Sequence, residues 1–431
     1  MTNNNISEDF IHYIWRLKNF DLQDLLLTSG EQVDILNFGN YNTNAGPDFL
    51  NGAVKIGDMI WHGHIEMHIN SSDWDKHKHS TDEAYQNVIL HVVLNHDKTI
   101  LVGDQVIPTL ELRSRINKSS YNAYHLLNRN KSWIPCESWI SDINEITKSM
   151  TLDKVLAERL TIKAKSILKQ LNAQTDNWQE VIYQRLLWSI GLSVNADAFL
   201  RLSQLVPYHI IIKHRDSIEE LEGILFGVAG FLSTKEEHEY VLKLKRHYEF
   251  YRQKYNLLEM RTAEWKFMRM RPSGFPTIRM AQMAKLLSKI DRLDALLFES
   301  DNKAIISELQ VSLDDGFWQE HYRFDSEAKP IKKSIGTDKI NSIIINAVAP
   351  LKYAYGIYQD SDELKSKAVD ILDVIACEKN SVIKKWKELK MPTQSAASSQ
   401  ALLHLKKHFC DNKRCLQCSI GHQVFKQLQS A

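Results

Sequence analysis

Four residues able to do chemistry alternate along one stretch of the chain: His62, His64, Glu66 and His68, within residues 59–69. Successive side chains of a β-strand point to opposite faces. The even positions therefore present imidazoles and a carboxylate on one side. Met59, Trp61, Gly63, Ile65, Met67 and Ile69 form the other, a face fit for burial. Such a polar face can hold a metal or a reacting group, although alternation is also the ordinary signature of a solvated sheet face. His77 and His79 follow in the loop Asp73-Trp-Asp-Lys-His-Lys-His79, and each taken singly reads as an exposed loop residue. Side chains two apart on a strand are spaced about 6.5–7 Å, so neighbours on one face can share an ion, whereas His62 and His68, roughly 20 Å apart, cannot. At most two or three of these histidines can form one site, of the kind that binds zinc or iron.

A second group closes the chain. Cys410-Asp-Asn-Lys-Arg-Cys415-Leu-Gln-Cys418 has Cys-X4-Cys-X2-Cys spacing and follows a stretch containing His404 and His408. Thiolates so spaced can converge on zinc or an iron–sulfur cluster. Three are one ligand short, and His408, His422 or the distant Cys136 can each supply the fourth; the expected role is structural. Cys377 reads as a small buried hydrophobe.

The elements that must position the first group are a helix and a mixed sheet. Residues 8–20 carry Phe10, Ile11, Ile14, Trp15 and Leu17 at amphipathic-helix spacing. Residues 32–38 alternate as a strand. Asn44-Ala-Gly-Pro-Asp48 is a turn that delivers an aspartate to the head of a strand over 49–56, and Gly57-Asp58 closes a hairpin into the histidine strand. Residues 80–86 read as a short helix capped by Ser80 or Thr81, and 87–95 as an apolar strand carrying His91. After Ile116 helical periods take over.

That order, with Asp48 opening the hairpin and Glu66-Met-His68 on its return strand, resembles the PD-(D/E)XK nuclease-like superfamily. The resemblance implies that Asp48 and Glu66 ligate a divalent metal, Mg or Mn and alternatively Zn, with Glu8 or Asp9 as an acid from the first helix. His68 occupies the position of the superfamily's lysine, which orients the attacking water. The whole chain also resembles an uncharacterised bacterial domain-of-unknown-function family. That resemblance is carried by Phe10-Ile-His-Tyr-Ile-Trp, Asn44-Ala-Gly-Pro-Asp-Phe, Ile65-Glu-Met-His, Val88-Ile-Leu-His-Val-Val, Arg271-Pro-Ser-Gly-Phe-Pro-Thr-Ile-Arg and Lys413-Arg-Cys-Leu-Gln-Cys-Ser-Ile-Gly. It transfers no activity.

Residues 241–279 carry ten Lys/Arg against three glutamates, with Tyr248, Phe250, Tyr251, Tyr255, Trp265 and Phe267 interleaved. Arginine for phosphate plus aromatic rings for stacking suits nucleic acid, and a long helix with a buried aromatic side has the same appearance. Within Arg269-Met-Arg-Pro-Ser-Gly-Phe-Pro-Thr-Ile-Arg279 the prolines and Gly274 forbid a continuous helix, so Arg269, Arg271 and Arg279 read as an anion pocket at a helix start.

The 431 residues suffice for two or three domains. A net charge of +1 excludes a protein basic all over, and 43% hydrophobic with 25% charged residues is ordinary for a globular protein. The first residues lack the basic start and apolar run of a signal peptide, no apolar stretch nears the roughly 20 residues of a bilayer span, and five cysteines fit a reducing compartment. The cytoplasm is the expected location. The expected architecture is α+β: an α/β domain over 1–135, a helical domain over 136–400, and a metal-binding tail over 401–431 packed on the helical domain. The expected activity is a metal-dependent phosphodiesterase using Asp48, Glu66 and His68, with His64 as a further metal ligand. The alternatives are an inactive nucleic-acid-binding protein and a zinc or iron hydrolase of a small molecule.

Overall fold

The computed structural model describes residues 6–42, 44–314 and 316–430. The chain divides into two compact units. One comprises Met1–Asp153, Lys384–Pro392 and Leu402–Ala431; the other comprises Lys154–Ile383 and Thr393–Ala401. The first boundary therefore lies beyond residue 135, and the tail belongs to the α/β unit rather than to the helical one, a correction to the expected packing.

In the first unit α1 (Glu8–Arg16) buries Phe10, Ile11, Tyr13, Ile14 and Trp15. It stops at Leu17 because Lys18 turns left-handed at φ 52°. The sheet runs β1 (Val33–Asn37), with β2 (Asn40–Tyr41) beside it, then β3 (Phe49–Ile56), β4 (Met59–Asn70), β5 (Val88–Asn95) and β8 (Thr109–Glu111); a ribbon of β6 (Leu101–Val102) and β7 (Gln105–Val106) lies between the last two in sequence. β1, β3 and β4 are antiparallel, and β5 and β8 join parallel to β4. The β3–β4 turn is the two-residue hairpin read from Gly57-Asp58, with Ile56 opposite Met59.

β4 departs from simple alternation. Met59, Ile60 and Trp61 at its start are exposed, while Ile65, Glu66, Met67 and His68 are buried on both faces. The buried half is where β5 lies alongside in parallel, and a parallel strand covered on both sides has no solvent face. The two halves meet at Gly63. A Cβ there would lie 2.4 Å from the carbonyl oxygen of Asn87 and 2.5 Å from Ile89, so only glycine lets β5 approach. Register shifts at the same place, between His64 and Ile65 against β5 and between Phe49 and Gly52 against β3.

The connection from β4 to β5 wraps around Trp74, which is fully buried with Ile100 and Ile107, against Tyr85, Val88 and Val102. Its indole donates to Ser80 Oγ at 3.0 Å. Ser71 and Ser72 fix the start of the loop on Asp97. Residues 80–86 form not one helix but two short turns, His79–Thr81 and Glu83–Tyr85, and the cap is Asp82, which accepts from the amide of Ala84. Ser80 is engaged by Trp74 instead.

The second unit is mainly helical, including Trp178–Ile190, Ala196–Leu205, Ile218–Val228, Glu239–Tyr255 and Pro276–Lys289, with small two-stranded ribbons between 312 and 334. Among the described residues no helix is long and apolar enough to cross a membrane.

Candidate metal centre

Asp48 ends the turn before β3 and Glu66 lies on β4, and pairing of the two strands brings them together. The amide of Asp48 donates to Glu66 Oε2 at 3.1 Å, and Asp48 Oδ2 accepts from the amide of Met67 at 3.0 Å. Each carboxylate is thus held by the other's strand. The remaining capacity of Asp48 goes to His12 of α1, whose Nε2 lies 3.1 Å from Oδ2. Burial works against a charge on His12, but the bonded Asp48 carboxylate outweighs it and the pKa is raised. Glu8, one helical turn before His12, has its pKa raised by burial and by Asp48. Asp9 instead accepts from Gln417 of the tail at 2.6 Å. Of the two acids considered on the first helix, Glu8 faces the site.

Around Glu66 Oε1 the histidines gather. His79 Nε2 is 3.3 Å away and His68 Nε2 is 3.6 Å away, while His68 Nε2 lies 3.1 Å from His77 Nδ1. Ligand atoms of His68, His77 and His79 all fall within 4.8 Å of one another. Bonds of about 2.0–2.1 Å in a tetrahedral zinc site put ligand atoms about 3.3 Å apart. The three imidazoles thus stand close enough for one ion to draw them together, with Glu66 Oε1 beside two of them, His68 and His79.

The loop reaches this point because of packing. His79 stacks on Tyr85 at 3.8 Å between ring centres and meets the edge of Trp74 at 5.3 Å. It is buried despite lying outside any long element. His79 Nε2 points at Glu66 Oε1, and this contact works to lower the Glu66 pKa. His77 is exposed and forms the solvent side of the group.

His68 is held from behind by His91 of β5, with Nδ1 and Nε2 2.8 Å apart. Both rings are buried. Desolvation, then the neighbouring imidazoles, pushes the His68 pKa down to about 2, and desolvation pushes His91 down to about 3. Both rings are therefore neutral at ordinary pH. If His68 Nδ1–H donates to His91, its Nε2 lone pair is aimed at the group, the arrangement by which a second residue fixes the tautomer of a metal-binding histidine. Burial raises the pKa of Glu66, with Asp48 adding to the rise, while His79 and the amide of Asp48 oppose it.

The other expected site residues are distributed differently. His64 Nδ1 accepts from the amide of Asn51 at 3.3 Å and does not join the group. His408 stacks on His404 at 4.2 Å. Arg269, Arg271 and Arg279 belong to the second unit. Arg269 and Arg271 are exposed, but the Arg279 guanidinium donates to Gln282 at 2.9 Å and burial pushes its pKa down to about 10. Arg279 is thus partly engaged inside the fold by Gln282. In the basic helix Glu239–Tyr255, Tyr248 and Tyr251 face inward, so those two rings are core.

The second unit holds a separate cavity of about 750 Å³, lined in part by Arg215, Glu222, Tyr240, Lys285 and Trp318. Glu222 is buried there, bonded by the Tyr240 hydroxyl at 2.5 Å and the Trp318 indole at 3.1 Å, and burial pushes its pKa up to about 7.

Neither the curated proteins nor the solved structures contain a match to the chain. A family model described as "Protein of unknown function (DUF2851)" matches residues 8–381, a span that contains every residue of the histidine–carboxylate group and ends before Cys410. The match covers well over half of the sequence, and the chain belongs to the DUF2851 family.

Proposed function

We propose that the first unit is a metal-dependent hydrolase acting on phosphoesters, with nucleic acid as the leading substrate class. The observation that carries this reading is the gathering of His68, His77 and His79, their ligand atoms within 4.8 Å of one another, with Glu66 beside His68 and His79 and with Asp48 and His12 alongside. Three imidazoles suit zinc or iron better than magnesium, which prefers oxygen ligands. A bound ion of that kind polarises the ester and lowers the pKa of a coordinated water. His68, tied to His91 and neutral, is suited to ligate rather than to orient water as a charged group would. Glu66 Oε1 can complete the ligand set or accept a proton from the coordinated water, a role that its raised pKa favours. Asp48 and His12 form a hydrogen-bonded pair next to it, able to deliver a proton to the leaving group.

The strand order supports the phosphoester assignment by analogy. A hairpin opened by Asp48 and returned through Glu66, followed by a parallel strand, is the arrangement that the PD-(D/E)XK resemblance leads one to expect. Purified protein reloaded with Zn²⁺, Mn²⁺ or Fe²⁺ is expected to cleave single- or double-stranded DNA, RNA or a chromogenic phosphodiester, and Glu66→Gln to abolish cleavage. Lack of turnover on all of these substrates with every metal, or full activity in Glu66→Gln, refutes the reading.

A further inference from the structure

Cys136 and the three tail cysteines belong to the same unit, although 273 residues lie between Cys136 and Cys410. The Cys136 thiol lies within electrostatic reach of Cys415 and Cys418, Cys410 within reach of all three others, and Cys415 within reach of Cys418. The backbone brings them there by several contacts. Cys136 precedes the short turn Glu137–Asp142, which packs on the final helix, Ser419–Ser430. The turn Cys415–Gln417 packs on that helix too. Gly421 makes the second approach possible, since a Cβ there would lie 2.2 Å from the carbonyl oxygen of Cys415. The amide of Cys418 donates to the Cys415 carbonyl at 3.1 Å, closing the Cys-X2-Cys turn. Cys136 and Cys415 are buried. The histidines considered as a fourth ligand are engaged elsewhere: His422 Nδ1 with the Tyr13 hydroxyl at 2.7 Å, and His408 on His404.

We infer that Cys136, Cys410, Cys415 and Cys418 form a four-thiolate centre for a thiophilic metal, zinc or an iron–sulfur cluster, that fastens the tail to the segment preceding Glu137–Asp142. Four thiols brought together from distant parts of a chain are what such a centre needs. The tail grips α1 directly, through Gln417 on Asp9 at 2.6 Å and Phe425 against Tyr13 at 4.9 Å between ring centres. The same helix carries Glu8 and His12. This centre is independent of the histidine group and of whether that group is catalytic.

The test is metal content of the full-length protein purified without oxygen. Zinc, iron and acid-labile sulfide are measured beside Cys136→Ser, Cys377→Ser and His79→Ala, with circular dichroism reporting the fold of each. Zinc without sulfide, or iron with sulfide and a thiolate charge-transfer absorption, distinguishes the two forms of the centre. Expected is loss of the thiolate-bound metal in Cys136→Ser and its retention in Cys377→Ser and His79→Ala. If Cys136→Ser cannot be isolated folded, cobalt substitution of the parent protein replaces it, and a thiolate-to-cobalt band is expected. Full metal retention in folded Cys136→Ser, or neither bound metal nor a cobalt–thiolate band in the parent, overturns the inference.

Discussion

Replacing His79 by alanine removes one of three imidazoles whose ligand atoms lie within 4.8 Å of one another, with Glu66 Oε1 3.3 Å away. Apparent zinc-binding free energies of four-ligand protein sites are about 10–16 kcal/mol near neutral pH. An equal share for each ligand is about 2.5–4 kcal/mol, a loss of roughly two to three orders of magnitude in affinity. His79 stacks on Tyr85, so the variant also leaves a hole under the loop; His79→Gln, which keeps more volume, separates lost ligation from lost packing. Competition of the protein against a chromogenic chelator, with the tail cysteines saturated beforehand, measures the affinity. Both variants are expected to weaken zinc by at least two orders of magnitude, and His64→Ala to leave it unchanged because His64 is engaged with Asn51. Equal zinc affinity in His79→Ala and the parent protein refutes the ligand assignment.

His91 positions His68 without belonging to the ligand set, so His91→Leu is expected to weaken zinc binding about 10–100-fold, with His91→Gln partly restoring it through an acceptor for His68 Nδ1–H; the same chelator titration checks both. The metal-free protein is expected to lose stability in acid. His68 and His91 fold with pKa values near 2 and 3 against 6.5 in the unfolded chain, so between those limits the unfolded chain holds more protons, and stability falls as pH drops below 6.5. The slope is about 1.4 kcal/mol per pH unit for each histidine. Urea unfolding at pH 7.0 and 5.5 tests it in Glu222→Gln, which lacks the opposing buried carboxyl, and equal stabilities there contradict it. Glu222 shows the opposite sign: its pKa is raised to about 7 from 4.5, so its burial costs stability as pH rises through that window. Glu222→Gln keeps an acceptor for Trp318 and is expected to be more stable than the parent at pH 8 by up to roughly 3 kcal/mol, read from urea midpoints.

The hairpin and its chemistry were legible because they are local. Alternation, a two-residue turn and the aspartate at a strand head fix β3 and β4, and their pairing brings Asp48 to Glu66. His12 was within reach of the same reasoning, since Glu8 and His12 are four apart and share a helix face. His77 and His79 were not, because no period marks a loop. The burial of His79 comes with that of Trp74, Ile100 and Ile107, contacts made across the β4–β5 connection and the following ribbon, while His77 stays exposed. Parity placed His64 with Glu66 and His68, but it is engaged on its other side, its Nδ1 accepting from the amide of Asn51. The proximity of Cys136 to the tail is a matter of long-range packing that spacing along a chain does not encode.

An anomalous difference map, recorded at the zinc edge from crystals of zinc-loaded protein, examines the histidine–carboxylate group most directly. The geometry predicts a peak about 2.0–2.1 Å from nitrogen atoms of His68, His77 and His79, with Glu66 beside it. Zinc-loaded crystals with no peak among these three imidazoles, and their rings bonded only to one another, would contradict it.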